Sequence, residues 1–180
     1  MKLNVFLEHA LSPLTLPIFG LSVILYVSSG TQYLIQTLAA SLIPIFVYGI
    51  GSFIARKFSK NENVYFSLPC LPALASFAAI YSIYGPMPIL LLSAVTVCAF
   101  FAVVFALRTY WRISMHMMFY AGVSAILSIM DPVFISMFAL VPAVAWCRLS
   151  LKRHTPWQLL AGFAVGLAAP VSIGLFMGLV

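Results

Sequence analysis

The side chains best suited to chemistry lie between Arg108 and Gln158. This stretch contains His116 and His154, two of the chain's three histidines, together with five of its nine Lys and Arg residues. An imidazole can attack phosphorus or transfer a proton near neutral pH, and a guanidinium binds phosphate oxygens through paired hydrogen bonds. Histidines combined with arginines therefore indicate phosphoryl-transfer chemistry.

The positions of these residues relative to apolar segments suggest a common site. His116 opens one apolar segment, Arg148 ends the next, and His154 precedes the last. Helix N-termini attract anions because their N–H groups and partial positive charge point outward, so two helix starts beside arginines predict an anion site. The candidate catalytic residues are His116 and His154, and the candidate phosphate-binding residues are Arg108, Arg112, Ser114 and Arg148.

The composition predicts the elements that position this site. Of the 180 residues, 64% are hydrophobic and 7% are charged, which is typical of an integral membrane protein and not of a soluble domain. The apolar runs have the length of membrane-spanning helices. We expect an all-α, polytopic membrane helical bundle with about six to seven transmembrane helices, forming a single domain over residues 1–180 whose motif-bearing part is 108–180.

Local signals divide the chain into candidate spans. Asp131-Pro132 interrupts a helix, and Thr155 followed by Pro156 predicts the start of the last one. Gly162 and Gly166 form a small-xxx-small pair, which favours close packing of that last helix on a neighbour. The candidate spans are 11–29, 31–55, 65–84, 87–107, 113–130, 133–147 and 155 to the C-terminus.

The distribution of charge predicts an orientation. If all seven spans cross, every Lys and Arg emerges on the same side, which the positive-inside rule makes cytoplasmic. The net charge of +6 is then explained by loops and lipid headgroups, and nucleic-acid binding is not expected. We expect a multi-pass protein of a bacterial-type inner or plasma membrane, with membrane lipids and a lipid or isoprenoid phosphate as partners and possible homo-oligomers.

Metal or cofactor chemistry is not expected from this sequence. The carboxylates are limited to Glu8, Glu62 and Asp131, so the oxygen ligands that hard cations prefer are scarce. The three cysteines form no CxxC pair, which argues against a zinc site.

Two motifs resemble those of the type 2 phosphatidic acid phosphatase superfamily of membrane lipid phosphatases. Ser114-Met115-His116 is similar to the Ser-x-His of the family's Pro-Ser-Gly-His motif. Arg148 and His154 have the Arg-x5-His spacing of its Ser-Arg-x5-His-x3-Asp motif. The resemblance covers about the last 70 residues. It implies that His154 is the nucleophile that forms a phosphohistidine, His116 the general acid, and Arg148 and Ser114 phosphate ligands.

The chain also departs from the family pattern. Ile113, Met115 and Cys147 replace the proline, glycine and serine of these motifs, and Gln158 stands where the family has the aspartate that orients the nucleophile. The family's Lys-x6-Arg-Pro motif is missing, unless other cations replace it. The candidates are Arg108 with Arg112, and Arg56 with Lys57.

The sequence therefore leads to a hypothesis with alternatives. The first is a metal-independent membrane phosphatase or phosphotransferase that acts on a lipid or isoprenoid (di)phosphate through a phosphohistidine. The second is a catalytically decayed member that serves as a lipid-phosphate binder, transporter or assembly subunit. A third is ionisation and cyclisation of an isoprenyl diphosphate.

Overall fold

The computed structural model describes residues 34–58, 70–84, 88–107 and 110–180, and all regular structure in these ranges is helical. The all-α prediction is confirmed for this part of the chain, whereas the candidate span 11–29 lies outside it. The helices are α1 Leu34–Phe58, α2 Cys70–Tyr84, α3 Pro88–Leu107, α4 Met115–Met130, a 3-10 helix Pro132–Leu140, α5 Val141–Ser150 and α6 Pro156–Phe176.

Capping side chains set the ends of α4. The hydroxyl of Ser114 accepts a hydrogen bond from the N–H of Met117, so the helix begins at Met115, two residues later than the predicted start. It ends before Asp131-Pro132, as predicted. The Asp131 carboxylate accepts a hydrogen bond of 2.9 Å from the N–H of Val133 and thereby starts the 3-10 helix.

The segment predicted as the sixth span is not one α-helix. Nine residues form the 3-10 helix and ten form α5, and together they run without a break from Pro132 to Ser150. The hydroxyl of Tyr120 in α4 donates a hydrogen bond of 2.5 Å to the carbonyl oxygen of Met137. A side chain of the neighbouring helix therefore satisfies a carbonyl in this irregular segment.

Two helical stretches in the described ranges are long and apolar enough to cross a membrane. They comprise residues 132–150, with 19 residues, and 156–176, with 21 residues. At 1.5 Å per residue, about 20 residues match a hydrocarbon core of roughly 30 Å. By length and composition these two fit the membrane prediction, and the count of six to seven spans stays a prediction.

The chain divides into two compact units. One comprises the described residues up to 94, in which α1 and α2 pack against each other. The other comprises the described residues from 95 onward, and it contains the end of α3 and all helices from α4 to α6. Every described candidate site residue belongs to this second unit. The single-domain organisation stays a prediction.

Helices α4 and α6 run parallel in close contact through two glycines. A Cβ atom on Gly162 would lie 2.5 Å from the carbonyl oxygen of Ser114, and one on Gly166 would overlap the carbonyl oxygen of Met118. The predicted packing role of this glycine pair is confirmed. Because the contacts follow the same order along both helices, the two helices begin at the same end of the unit.

Buried apolar side chains fill the space around α4. Met118 and Phe119 pack with Phe100 of α3, whose ring meets that of Phe119 edge to face at 5.3 Å between centroids. A second cluster joins α4 to α5 and α6 and consists of Met117, Tyr120, Val144 and Leu159. Within this unit α4 thus packs against the end of α3, α5 and α6, which fixes the position of its first turn.

Replacing Gly166 with alanine is expected to destabilise the protein by about 1 to 3 kcal/mol, because the added methyl group meets backbone that cannot move aside. The matched control is Gly49→Ala in α1, where the new Cβ would have no atom within 4 Å. That variant should be neutral or more stable by up to about 1 kcal/mol. Thermal unfolding in detergent measures both. Equal losses in the two variants would contradict the close α4–α6 contact.

Candidate functional site

The site is centred on Arg148, in the last turn of α5. Its guanidinium Nη1 lies 3.4 Å from Nε2 of His116, which is in the first turn of α4. The arginine is only 6% exposed. Helix α4 is antiparallel to the continuous segment formed by the 3-10 helix and α5, since Tyr120 contacts Met137 and His116 contacts Arg148. The structure therefore brings together two predicted residues that are 32 positions apart.

The contact between Arg148 and His116 constrains the protonation of the imidazole. A guanidinium has only donors and keeps its proton at every relevant pH, so it donates and Nε2 accepts. His116 must then be neutral, with its proton on Nδ1, while this long hydrogen bond exists. In this state its Nε2 carries no proton and has none to give.

A tight turn carries the chain from α5 back to the site. The N–H of Lys152 donates to the carbonyl of Leu149 at 2.9 Å, and the N–H of Arg153 donates to that of Arg148 at 3.2 Å. This pair of bonds is the Schellman arrangement, which needs one residue with left-handed backbone. Lys152 takes that position, with φ of 52°. The turn directs His154 back toward the end of the helix that carries Arg148.

His154 is half-buried, and its pKa is lowered from the ordinary value of 6.5. The largest cause is burial, which disfavours the charged ring, and the positive charges of Arg148 and Arg153 act in the same direction. The nearby side chain of Gln158 opposes the shift, because it stabilises the protonated ring. His154 is therefore neutral near neutral pH, as a nucleophile must be.

Gln158 and Thr155 cap the start of α6 reciprocally. Oε1 of Gln158 accepts from the N–H of Thr155 at 2.9 Å, and Oγ1 of Thr155 accepts from the N–H of Gln158 at 3.4 Å. Thr155 and Pro156 occupy the cap and first-turn positions that the sequence predicts. Because Pro156 has no N–H, this helix start has fewer donors for an anion than the prediction assumed.

At the place where the resembling family has its aspartate, the chain therefore has a neutral amide that also caps α6. In the described part of the chain, the buried Nδ1 of His154 has no hydrogen-bond partner. The imidazole is therefore not oriented through this nitrogen.

Ser114 connects the starts of α4 and α6. Its N–H donates to the carbonyl of Gln158 at 3.1 Å, and its hydroxyl caps α4. The side chain is completely buried. Since the hydroxyl accepts from the backbone, its own proton can still be donated. The predicted role as a phosphate ligand stays a prediction.

The two remaining cations are not placed in this cluster. Arg112 is exposed in the extended segment before α4. Among the described residues, no contact joins its guanidinium to His116, Arg148 or His154. Arg108 lies outside the described residues. Their predicted roles as phosphate ligands stay predictions.

Charge at this end of the unit is positive. The described ranges contain one acidic residue, Asp131, and it lies at the far end of α4, about 22 Å from His116 at 1.5 Å per residue. In these ranges no three His, Cys, Asp or Glu side chains are close enough to hold a metal ion. The arrangement favours an anion that contacts Arg148 between two neutral imidazoles.

Of the predicted site residues, His116 and Arg148 are therefore in contact, and His154 lies close enough to Arg148 for that charge to lower the pKa of its ring. Two features were missed. The Thr155-x-x-Gln158 spacing is a capping-box pattern that could have predicted the bonds at the start of α6. The left-handed backbone of Lys152 has no signal in the sequence, because glycine is the usual residue there.

Comparison of the chain with protein-family models, with curated proteins and with solved structures gives no match.

Proposed function

We propose that this protein is a membrane phosphatase or phosphotransferase that acts on a lipid or isoprenoid (di)phosphate through a phosphohistidine intermediate. It would be a divergent member of the type 2 phosphatidic acid phosphatase superfamily. The reaction needs no metal ion, since Arg148 supplies the positive charge.

The observation that carries the proposal is the 3.4 Å contact between Arg148 and His116, with His154 close enough to Arg148 to be affected by its charge. These are the three residues that the two motifs assign to phosphate binding, acid catalysis and nucleophilic attack. The cluster combines a buried guanidinium with two imidazoles. It matches what an in-line phosphoryl transfer requires.

The proposed reaction has two steps. A ring nitrogen of His154 donates its lone pair to phosphorus, the bond from phosphorus to the leaving oxygen breaks, and protonated His116 gives that oxygen a proton. Water then attacks the phosphohistidine, His116 takes a proton from this water, and the bond between phosphorus and nitrogen breaks. Inorganic phosphate leaves, and His154 and the protonated His116 are regenerated.

Substrate binding prepares His116 for the first step. In the resting site Arg148 donates to Nε2 of His116, and this excludes a proton from that nitrogen. A phosphate group is a better acceptor for a guanidinium than a neutral imidazole is, so Arg148 exchanges partners when the substrate binds. Nε2 then becomes available for a proton, which the negative substrate stabilises. Phosphate binding is accordingly coupled to proton uptake.

The membrane location follows from the same proposal. Residues 132–150 and 156–176 cross the bilayer, and the site lies at the connection between them, at an interface where phosphate headgroups reside. We propose a bundle of six to seven spans with this connection on the cytoplasmic side. Exposed Trp146 and Trp157 flank the connection, as interfacial tryptophans do. The substrate then enters from the cytoplasmic leaflet.

A non-catalytic lipid-phosphate binder, transporter or assembly subunit is the second candidate. The observation that favours it is the buried Nδ1 of His154, which has no hydrogen-bond partner among the described residues, while the side chain at the aspartate position is a neutral amide. Without an acceptor for its Nδ1, His154 is less well oriented for attack. The anion site at Arg148 is common to both candidates.

Phosphate release and trapping of the intermediate test the proposal. Purified protein in detergent is incubated with an isoprenyl diphosphate, phosphatidic acid or phosphatidylglycerophosphate in the presence of a chelator. We expect release of phosphate from at least one of them. With a radiolabelled phosphate group, a rapidly quenched sample should contain protein-bound label that is stable in base and lost in acid, as phosphohistidine is.

Two results would count against the proposal. Absence of release from all three substrates, combined with binding of the same lipids, favours the non-catalytic candidate. Release without any acid-labile label shows that water attacks the substrate directly, and the assigned role of His154 is then wrong.

A further inference from the structure

Two helices of this chain, α5 and α6, end in the same Schellman turn. The two turns differ in the residue at the left-handed position. After α6, the N–H of Gly178 donates to the carbonyl of Leu175 at 3.1 Å, and that of Leu179 donates to Gly174 at 2.9 Å. This is the pattern of bonds that follows α5. In both turns one residue has left-handed backbone, with φ of 68° at Gly178 and 52° at Lys152.

Glycine is the favoured residue for this position because a Cβ atom crowds the backbone in the left-handed region. In the described ranges, Lys152 is the one residue other than glycine with positive φ. Glycine occupies the equivalent position at Gly178. A lysine in this place is disfavoured conformationally, and such an exception points to a role for its side chain.

The position of Lys152 indicates what that contribution is. It lies in the turn that connects the buried Arg148 to His154, and it is exposed. Arg153 follows it and is near enough to His154 to affect the ring through its charge. In the proposed site, one phosphoryl group is bound by the guanidinium of Arg148 and lies beside the two imidazoles. Additional cations at the outer side of the turn suit a second anionic group on the same ligand.

We propose that Lys152 is a specificity residue that binds a second anionic group of the substrate, next to the phosphoryl group at Arg148, so that the site prefers diphosphates to monophosphates. This inference rests on the proposed function in one respect, the binding of a phosphoryl group at Arg148. It requires no turnover, and binding alone can test it.

The test compares two inorganic ions on the full-length protein. The protein is placed in nanodiscs of phosphatidylcholine, whose zero net charge removes the attraction of lysine to an anionic surface. Calorimetry gives the affinities for inorganic diphosphate and for inorganic phosphate. The variants are Lys152→Gly, which suits the backbone but lacks the charge, and Lys152→Arg, which retains the charge. Gly178→Lys is the matched control at the other end of α6.

We expect the wild type to bind diphosphate more tightly than phosphate. Lys152→Gly should weaken diphosphate binding about tenfold, as loss of one charge-assisted hydrogen bond does, and should change phosphate binding less than about twofold. The same variant should unfold at a higher temperature, because the backbone strain is removed. Lys152→Arg should keep the preference. Gly178→Lys should lower the unfolding temperature and leave both affinities unchanged.

Three outcomes overturn the assignment. Equal weakening of both ions by Lys152→Gly shows a general effect of charge, unchanged affinities show that the lysine is not a ligand, and absence of binding by the wild type shows that no anion site exists. Failure of the proposed function is a separate result, since it is measured as absence of phosphate release by a protein that still binds diphosphate.

Discussion

Replacing His154 with alanine is expected to reduce phosphate release by about 10⁴-fold or more, to the uncatalysed background, because removal of a nucleophile leaves only the contributions of binding. Anion affinity should fall little. Arg148 remains in place, and alanine removes a ring that is neutral near neutral pH and therefore attracts an anion weakly. This variant should therefore lose turnover but keep anion binding. Radiolabelled lipid phosphate measures the first, and calorimetry with inorganic phosphate measures the second.

Arg148→Ala provides the contrasting variant. Here both turnover and phosphate binding should be lost, because this buried guanidinium is the charge that the anion contacts. Arg148→Lys keeps the charge but lacks the planar pair of donors, and it should recover only part of the affinity. The three variants together distinguish a residue that reacts from one that binds.

Misfolding is a possible trivial cause of inactivity in His154→Ala. His154→Gln keeps much of the side-chain volume and should be equally inactive, with the unfolding temperature of the wild type. Added imidazole should restore part of the turnover of His154→Ala by occupying the vacated space. A variant that hydrolyses the substrate at the wild-type rate contradicts the assigned nucleophile.

The starts of α4, the 3-10 helix and α6 could be predicted from sequence because their signals are local. Ser114, Asp131 and Thr155 each accept a hydrogen bond from a backbone N–H two or three residues further on. Pro132 and Pro156 occupy first-turn positions, where a missing N–H costs nothing. Each of these interactions involves only a few neighbouring residues, so a short sequence pattern is enough to locate the start of the helix.

The convergence of three helix ends was predictable for a different reason. Consecutive helices that pack side by side reverse direction, so the start of α4, the end of α5 and the start of α6 fall at one end. The glycine pair 162 and 166 then predicts a close partner for α6, and the structure identifies that partner as α4. Which helix would be the partner did not follow from the sequence.

The protonation state of the site could not have been predicted from the motifs. It depends on the 3.4 Å approach of Arg148 to His116, and that distance follows from the packing of α4 against α5. The 3-10 segment between Pro132 and Leu140 is a second case. Its sequence is as apolar as that of an α-helix, and contacts with α4, such as the bond from Tyr120, accompany the tighter winding.

Replacing Gln158 with glutamate is expected to raise turnover by about 10- to 100-fold, because a carboxylate beside His154 orients the ring and stabilises its positive charge as phosphorus is attacked. Glutamate has the length of glutamine, so the capping bonds with Thr155 can be retained. Gln158→Asp reproduces the family's residue type, but its shorter side chain reaches the cap less well. Aspartate should therefore give a smaller gain and a less stable protein.

The pH dependence gives the more specific readout of Gln158→Glu. The pKa of His154 lies below its ordinary value of 6.5 in the wild type, so the acid limb of the rate profile should fall below pH 6.5. A neighbouring carboxylate raises the pKa and moves this limb to higher pH. Stability changes in parallel. Because protonation of a ring with a depressed pKa opposes folding, the wild type should lose stability as the pH falls from 6.5 through the folded-state pKa, and the glutamate variant should lose less.

The turnover rate and the pH dependence of Gln158→Glu together distinguish a catalytically active site from an inactive one. A gain in rate together with the shifted acid limb means that Gln158 limits an active nucleophile through its missing charge. If the pH dependence of stability shifts but no substrate is turned over, the carboxylate has reached His154 and the ring still does not react. The anion site at Arg148 would then serve binding alone. The replacement of the family's aspartate by Gln158 would be a consequence of the lost activity and not its cause.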